Sequence, residues 1–302
     1  MTHAVVGQLR LRAPVMIAAG TGGTGVELSS FGRLSELGAV VVKSLAPFPW
    51  HGNPYPRLAG VPGGMVNAVG LSGPGIPEWI ARDLPLLEQQ RAAVVVSVWG
   101  RTPDDYEHAA ALLSPIAGRI VAVEVNLSCP NLSTGHQIFA HEPAAAADIV
   151  VRMRAARVPL WAKLSPNTDR LVEVASAVAE AGADAVTLIN TVRALVLDDL
   201  DGTPVLGSGG GGLSGRVIHQ IALRAIADVR AALPELAIVG VGGVADAADA
   251  RAMLRAGACA VQVGTATFAD PRAPWRVQRA LLHQFHDRSA NRRGPTSGRE
   301  PR

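Results

Sequence analysis

The chain has 302 residues, 48% hydrophobic but only 4% aromatic, so its core must be built from Ala, Val, Leu and Ile, as suits parallel strands and small-residue helices. The net charge is +3, with much of the basic excess in the terminal stretch after Asp287, and no basic stripe interleaved with aromatics argues for nucleic-acid binding. Two cysteines, Cys129 and Cys259, are too few for a disulfide scaffold, no metal-ligand spacing is present, and no apolar run has the length of a membrane span; the expectation is a soluble, cytoplasmic protein without a metal.

Taken in order, the sequence alternates short apolar runs with Ala/Leu-rich segments. Residues 14–19 read as a strand ending in Gly20-Thr21-Gly22-Gly23, followed by a helix over 29–37 with Gly38 as its stop. A second strand, 39–42, ends in Lys43-Ser44. Residues 46–75 are then a Pro- and Gly-rich excursion too long for an idle loop. A helix over 77–90 leads to a third strand, 94–99, and a helix over 104–113 to a fourth, beginning at Ile120. That run, VAVEVNLSCPN over 121–131, turns within a few residues from an apolar strand into a cluster of amides, a hydroxyl and a thiol.

Pro143 opens the next helix as a first-turn proline. Strands over 160–164 and 185–189 follow, separated by a helix over 169–181. A small excursion, 195–206, runs into a glycine-rich, flexible loop over 209–215. Helices over 217–232, 245–256 and 274–286 alternate with strands over 237–241 and 260–263. Eight strand–helix units without a break in composition predict a single (β/α)8 TIM barrel over residues 1–286, with 287–302 as a disordered tail. A doubly wound sheet is the alternative, but no unit opens with the G-x-G-x-x-G of a dinucleotide site.

In a barrel the C-terminal strand ends converge on one mouth. Here they supply Ala19-Gly20, Lys43-Ser44, Ser97, Asn126 to Asn131, Lys163, Asn190-Thr191, Gly242-Gly243 and Gly264-Thr265. Almost no carboxylate stands among them, which argues against a two-carboxylate glycosidase or a metal hydrolase. Glycines at the seventh and eighth strand ends suit a phosphate held on backbone N–H groups. A phosphate anchor with amides, two lysines and a thiol points to flavin mononucleotide (FMN) below a small polar substrate.

Eight motifs now fall in order: GNPYPR at 52–57, GGMVNAVGL at 63–71, EVNLSCPN at 124–131, KLSPN at 163–167, LINT at 188–191, GGLSG at 211–215, VGGV at 241–244 and VGTA at 263–266. Together they resemble the dihydroorotate dehydrogenases over about residues 14–270. Cysteine rather than serine in the fourth-strand motif places the resemblance in class 1, and the detail is most like the class 1B catalytic subunit.

The resemblance implies oxidation of (S)-dihydroorotate to orotate in pyrimidine biosynthesis. Cys129 is then the base that takes the proton from ring carbon 5, while hydride passes from ring carbon 6 to FMN. Lys163 stands beside the flavin, where a cation stabilises charge developing on reduction. Lys43, Asn67, Gly70, Leu71, Asn126, Asn131, Asn190 and Thr191 match substrate positions, the amides offering donors and acceptors to a ring of alternating N–H and C=O groups. Ala19, Gly20, Lys43, Ser44, Ser97, Asn126, Lys163, Ile189, Gly215, Gly242, Gly243, Gly264 and Thr265 match flavin contacts. Class 1B implies electron transfer to NAD through a partner subunit carrying FAD and a 2Fe-2S cluster, in a heterotetramer built on a homodimer. Cys259 reads as a core residue.

The chain also departs from the family. Ser97 replaces a usual Asn, Ser72-Gly73 a usual Gln-Asn, and Ala194-Leu195-Val196 a usual Gly-Met-Arg, while residues 132–141 lack the usual Gly-rich turn. Three alternatives therefore stay open: a related flavin oxidoreductase acting on another dihydropyrimidine, a class 1A-like enzyme using fumarate, and a flavin-binding protein without catalysis.

Overall fold

The computed structural model describes residues 3–128, 130–131 and 137–291, with side chains described except at 130, 131, 137 and 283–291. Eight parallel strands close a barrel in chain order: Val15–Ile17, Val40–Val41, Val94–Val98, Ala122–Asn126, Leu160–Lys163, Ala185–Leu188, Ala237–Val241 and Ala260–Val263, the last pairing back onto the first. They are short, β-branched and buried on both faces, as parallel strands covered by helices must be. The predicted (β/α)8 barrel is the fold.

Two apolar layers hold it. Outside, the helices pack on one face of the strands through residues such as Trp79, Tyr106, Ile149 and Ile226. Inside, Met16, Val41, Val95, Ala122, Trp161, Ala185, Val239 and Ala260 fill the lower barrel. That end is closed by a hairpin, Ala4–Val6 with Leu9–Leu11, whose Ala4, Val6 and Leu11 join the interior cluster. The sequence reading passed over this hairpin. Cys259 is half-buried against the same cluster, as a small apolar residue would be.

Several elements differ from expectation, each for a local reason. The helix expected over 29–37 is two short 3-10 turns, Glu27–Phe31 and Leu34–Glu36. Ser29 and Ser30 are weak helix formers, and Gly32 is pressed on Trp275, whose ring would lie 2.5 Å from an added Cβ. The helix over 77–90 is broken into Ile76–Arg82 and Leu84–Gln89, because Pro85 cannot donate into a continuous helix. The closing helix, Ala273–Asn291, extends past the expected end at 286; residues 292–302 lie outside the described residues.

The largest difference concerns the glycine-rich segment. It is no flexible loop: Gly211–Gly215 is a strand, in a four-stranded antiparallel sheet with Val192–Ala194, Gly64–Asn67 and Leu58–Val61. Glycine is needed there for close approach, since a Cβ on Gly212 would stand 2.1 Å from Thr191 Oγ1. The sheet joins the excursions that follow the second and sixth barrel strands, and so builds one wall above the mouth.

Candidate active site

The mouth opens into a cavity of about 730 Å³, within the size range of small-molecule and cofactor sites. Its lining includes Ala19, Gly20, Lys43, Ser44, Asn67, Gly70, Leu71, Asn126, Lys163, Ile189, Asn190, Thr191, Gly215, Gly242, Gly243, Gly264 and Thr265. Strand ends separated by up to 246 positions in the sequence thus meet around one space. Three expected residues stand apart. Ser97 does not line the cavity; it is wholly buried, with its hydroxyl 2.8 Å from that of Ser44. Cys129 lies outside the described residues, as does the loop 132–136. Asn131 is described only in its backbone, which pairs with Gln137.

The period of two along a strand explains what points inward. In Ala122–Asn126 the alternate residues Ala122, Glu124 and Asn126 share the barrel interior, each two residues higher than the last. Asn126 pairs in register with Lys163 on the next strand. Its Oδ1 accepts from Asn190 Nδ2 at 3.1 Å and from the Ser128 amide at 3.2 Å, and its Nδ2 reaches Ser44 Oγ at 3.4 Å. Below, Tyr106 donates to the Asn126 carbonyl at 2.8 Å and meets Phe139 edge-on at 5.7 Å between ring centroids. Asn190 Oδ1 accepts from the Thr191 amide, and Asn167 Nδ2 donates to the Thr191 carbonyl at 3.0 Å. Asn67 Nδ2 donates across the upper sheet to Gly212 at 3.2 Å. These bonds fix the amides of four loops before any ligand arrives, and preorganisation of this kind lowers the ordering cost of binding.

At the opposite side of the mouth, Gly243, Val244, Gly264 and Thr265 lie past the ends of the seventh and eighth strands and outside any helix. Their backbone N–H groups make no hydrogen bond among the described residues. Gly243 has φ +77°, and a Cβ on it would come within 2.8 Å of His219 Cβ. His219 Nδ1 lies 3.1 Å from the Gly242 carbonyl, which holds this turn in place. Thr265 Oγ1 donates to Ser214 Oγ at 2.8 Å, tying the eighth strand end to the upper sheet. Unengaged amides on a glycine turn form a nest for phosphate oxygens, and the residues present fit the phosphate of FMN.

The charged side chains that line the cavity are all cationic: Lys43, Lys163 and Arg216. Burial, with Arg57 as a second cause, pushes the Lys43 ammonium below the usual lysine range. Arg216 is paired with Asp246 and, at 2.7 Å, with Asp249. Lys163 lies 3.4 Å from Glu124, a fully buried carboxylate beneath the cavity floor. The sequence reading missed Glu124, although a lone acid inside the apolar run VAVEV was its signal; Tyr106 and His219 carried no comparable signal. Among the described residues no cluster of His, Cys, Asp and Glu could hold a metal ion, and no helix is long and apolar enough to cross a membrane.

A model of the dihydroorotate dehydrogenase family matches residues 1–285. The dihydroorotate dehydrogenase B (NAD(+)) catalytic subunit of Geobacter sp. (strain M21) is 42% identical over 289 residues, covering 95% of this chain and 93% of its own. The protein of the same name from Alkaliphilus oremlandii (strain OhILAs) is 43% identical over 270 residues, covering 89% and 88%. That of Bacillus mycoides (strain KBAB4) is 42% identical over 264 residues, covering 87% and 85%.

Proposed function

The chain belongs to the dihydroorotate dehydrogenase family and is an oxidoreductase, and on that premise we propose that it oxidises (S)-dihydroorotate to orotate with FMN as its bound cofactor. One observation carries the reading: the residues matched to flavin and substrate positions, Ser97, Cys129 and Asn131 aside, line a single cavity with a phosphate nest at one side. FMN, when bound, would supply the hydride acceptor for ring carbon 6. The amides of Gly243, Val244, Gly264 and Thr265 would hold its phosphate, and Lys163 would offset negative charge at the ring system. Lys43 takes the substrate carboxylate, and Asn67, Asn126, Asn131 and Asn190 with Thr191 orient the ring through paired donors and acceptors. Cys129 removes the proton from ring carbon 5; the thiolate is the active form, so the rate rises with pH as the thiol ionises.

Electrons leave, in this reading, to NAD through a partner subunit carrying FAD and a 2Fe-2S cluster. Exposed apolar side chains support a docking surface for such a partner: Tyr55 and Leu58 in one excursion, Leu195, Leu197 and Leu200 in the other. Both excursions enter the four-stranded sheet beside the mouth. With FMN and an artificial electron acceptor, the purified protein should convert dihydroorotate to orotate and leave dihydrouracil unchanged. Turnover of dihydrouracil alone would transfer the chemistry to another dihydropyrimidine. Reoxidation by fumarate without a partner would replace NAD as the acceptor.

A further inference from the structure

Two lysines line the cavity, Lys163 buried and Lys43 half-buried, and they differ in their partners. Lys43 has no carboxylate partner among the described residues, whereas Lys163, 7% exposed at the end of the fifth strand, stands 3.4 Å from Glu124 Oε1. Glu124 is fully buried on the fourth strand and does not line the cavity. Its other oxygen accepts from Gln262 Nε2 at 2.7 Å, and Gln262 is itself fully buried on the eighth strand. A carboxylate and an amide from strands 138 positions apart are therefore spent beneath the floor, where neither can touch a ligand. A lone buried ion is retained only with a partner, so each charge of this pair depends on the other.

We propose that Glu124 is a positioning residue that aims the Lys163 ammonium into the cavity, so that the site presents a positive charge at a fixed place to the flavin. Lys43, unpaired, is left to acquire its full charge when an anionic substrate arrives. Gln262 fixes the rotamer of Glu124 by holding its second oxygen. The other charged groups facing the cavity are Lys43 and Arg216, and Arg216 is drawn to Asp246 and Asp249. Glu124 is thus the one described carboxylate in contact with Lys163. The inference rests on the flavin reading above but not on the identity of the substrate.

The test is the midpoint potential of bound FMN, titrated with a chemical reductant at one pH in the parent protein, Glu124→Gln, Lys163→Met and the double variant. A cation beside the ring favours the reduced, more negative flavin. In E124Q the lysine has lost the carboxylate that aims it. The E124Q potential should therefore fall from that of the parent to that of K163M. The expected separation is about tenfold in the reduced-to-oxidised binding ratio, or about 30 mV for a two-electron couple. The parent should stay above K163M. The double variant, which leaves no lone buried charge, should equal K163M, because Glu124 acts only through the lysine. An E124Q potential equal to or above the parent's, or additive effects in the double variant, would overturn the proposal. Should E124Q fail to hold FMN, the double variant alone decides. Parent protein that binds FMN but ignores dihydroorotate would refute the substrate reading and leave this one standing.

Discussion

Gly264→Ala separates folding from cofactor binding at a single methyl group. Gly264 has no left-handed φ, and an added Cβ would meet only Ala18 Cβ at 3.4 Å and Thr21 Cγ2 at 3.8 Å, both ordinary contacts. The deflavinated protein should therefore fold with its stability changed by less than about 0.5 kcal/mol. With FMN the same methyl group stands at the nest that the Gly264 and Thr265 amides form. Hydrogen bonds to a charged group contribute about 1.5–3 kcal/mol each, so losing one or two should weaken FMN binding by about 3 kcal/mol, a factor of about 100 in Kd. Gly243→Ala is the contrasting case, because its φ of +77° and a 2.8 Å approach to His219 Cβ strain the backbone by about 1–2 kcal/mol with or without ligand. Quenching of FMN fluorescence on titration with deflavinated protein gives Kd, and thermal melts of the same samples give stability. An FMN Kd for G264A within twofold of the parent would refute the phosphate assignment. So would a loss of deflavinated stability as large as that of G243A.

Two further outcomes follow from the same geometry. Cys129→Ala should retain FMN affinity while the rate of flavin reduction by dihydroorotate falls about 10²–10⁴-fold; an unchanged rate would remove Cys129 as the base. Lys43 titrates below the usual lysine range because of burial first and Arg57 second, so orotate affinity should decline as pH rises through that lowered pKa, before an ordinary lysine would lose its proton. Over the same interval the unfolded chain holds more protons on this lysine than the folded one, so the contribution of Lys43 to folding stability rises while ligand affinity falls. Lys43→Arg keeps its charge at every accessible pH and should flatten the affinity profile; a parent Kd for orotate that is flat to pH 10 would contradict the assignment of the carboxylate to Lys43.

Much of the site was legible because a parallel barrel places its chemistry where apolar runs stop. Lys43, Asn126, Lys163, Asn190, Gly242 and Gly264 each sit at or just past such a stop, and the alternation of runs and helices was enough to locate them. What escaped were features set by tertiary contact. The strand Gly211–Gly215 has the composition of a flexible loop, and only the proximity of Thr191 to Gly212 shows why glycine is needed there. Ser97 is expected as a flavin contact because it stands where the family usually has Asn, but its hydroxyl is directed to Ser44, so it supports the wall without forming it. The lone acid in VAVEV marks Glu124, but its role was hidden because its partners, Lys163 and Gln262, come from strands that meet it only when the barrel closes. The first helix failed where Gly32 had to yield to Trp275, a residue 243 positions away in the chain.

The central claim, that this cavity holds FMN and passes it hydride from dihydroorotate, is tested most directly by mixing the FMN-loaded protein with dihydroorotate in the absence of oxygen and following the visible flavin absorbance. The account predicts bleaching in the parent and slow or absent bleaching in Cys129→Ala. A fully loaded parent protein whose flavin spectrum stays unchanged by dihydroorotate would contradict it.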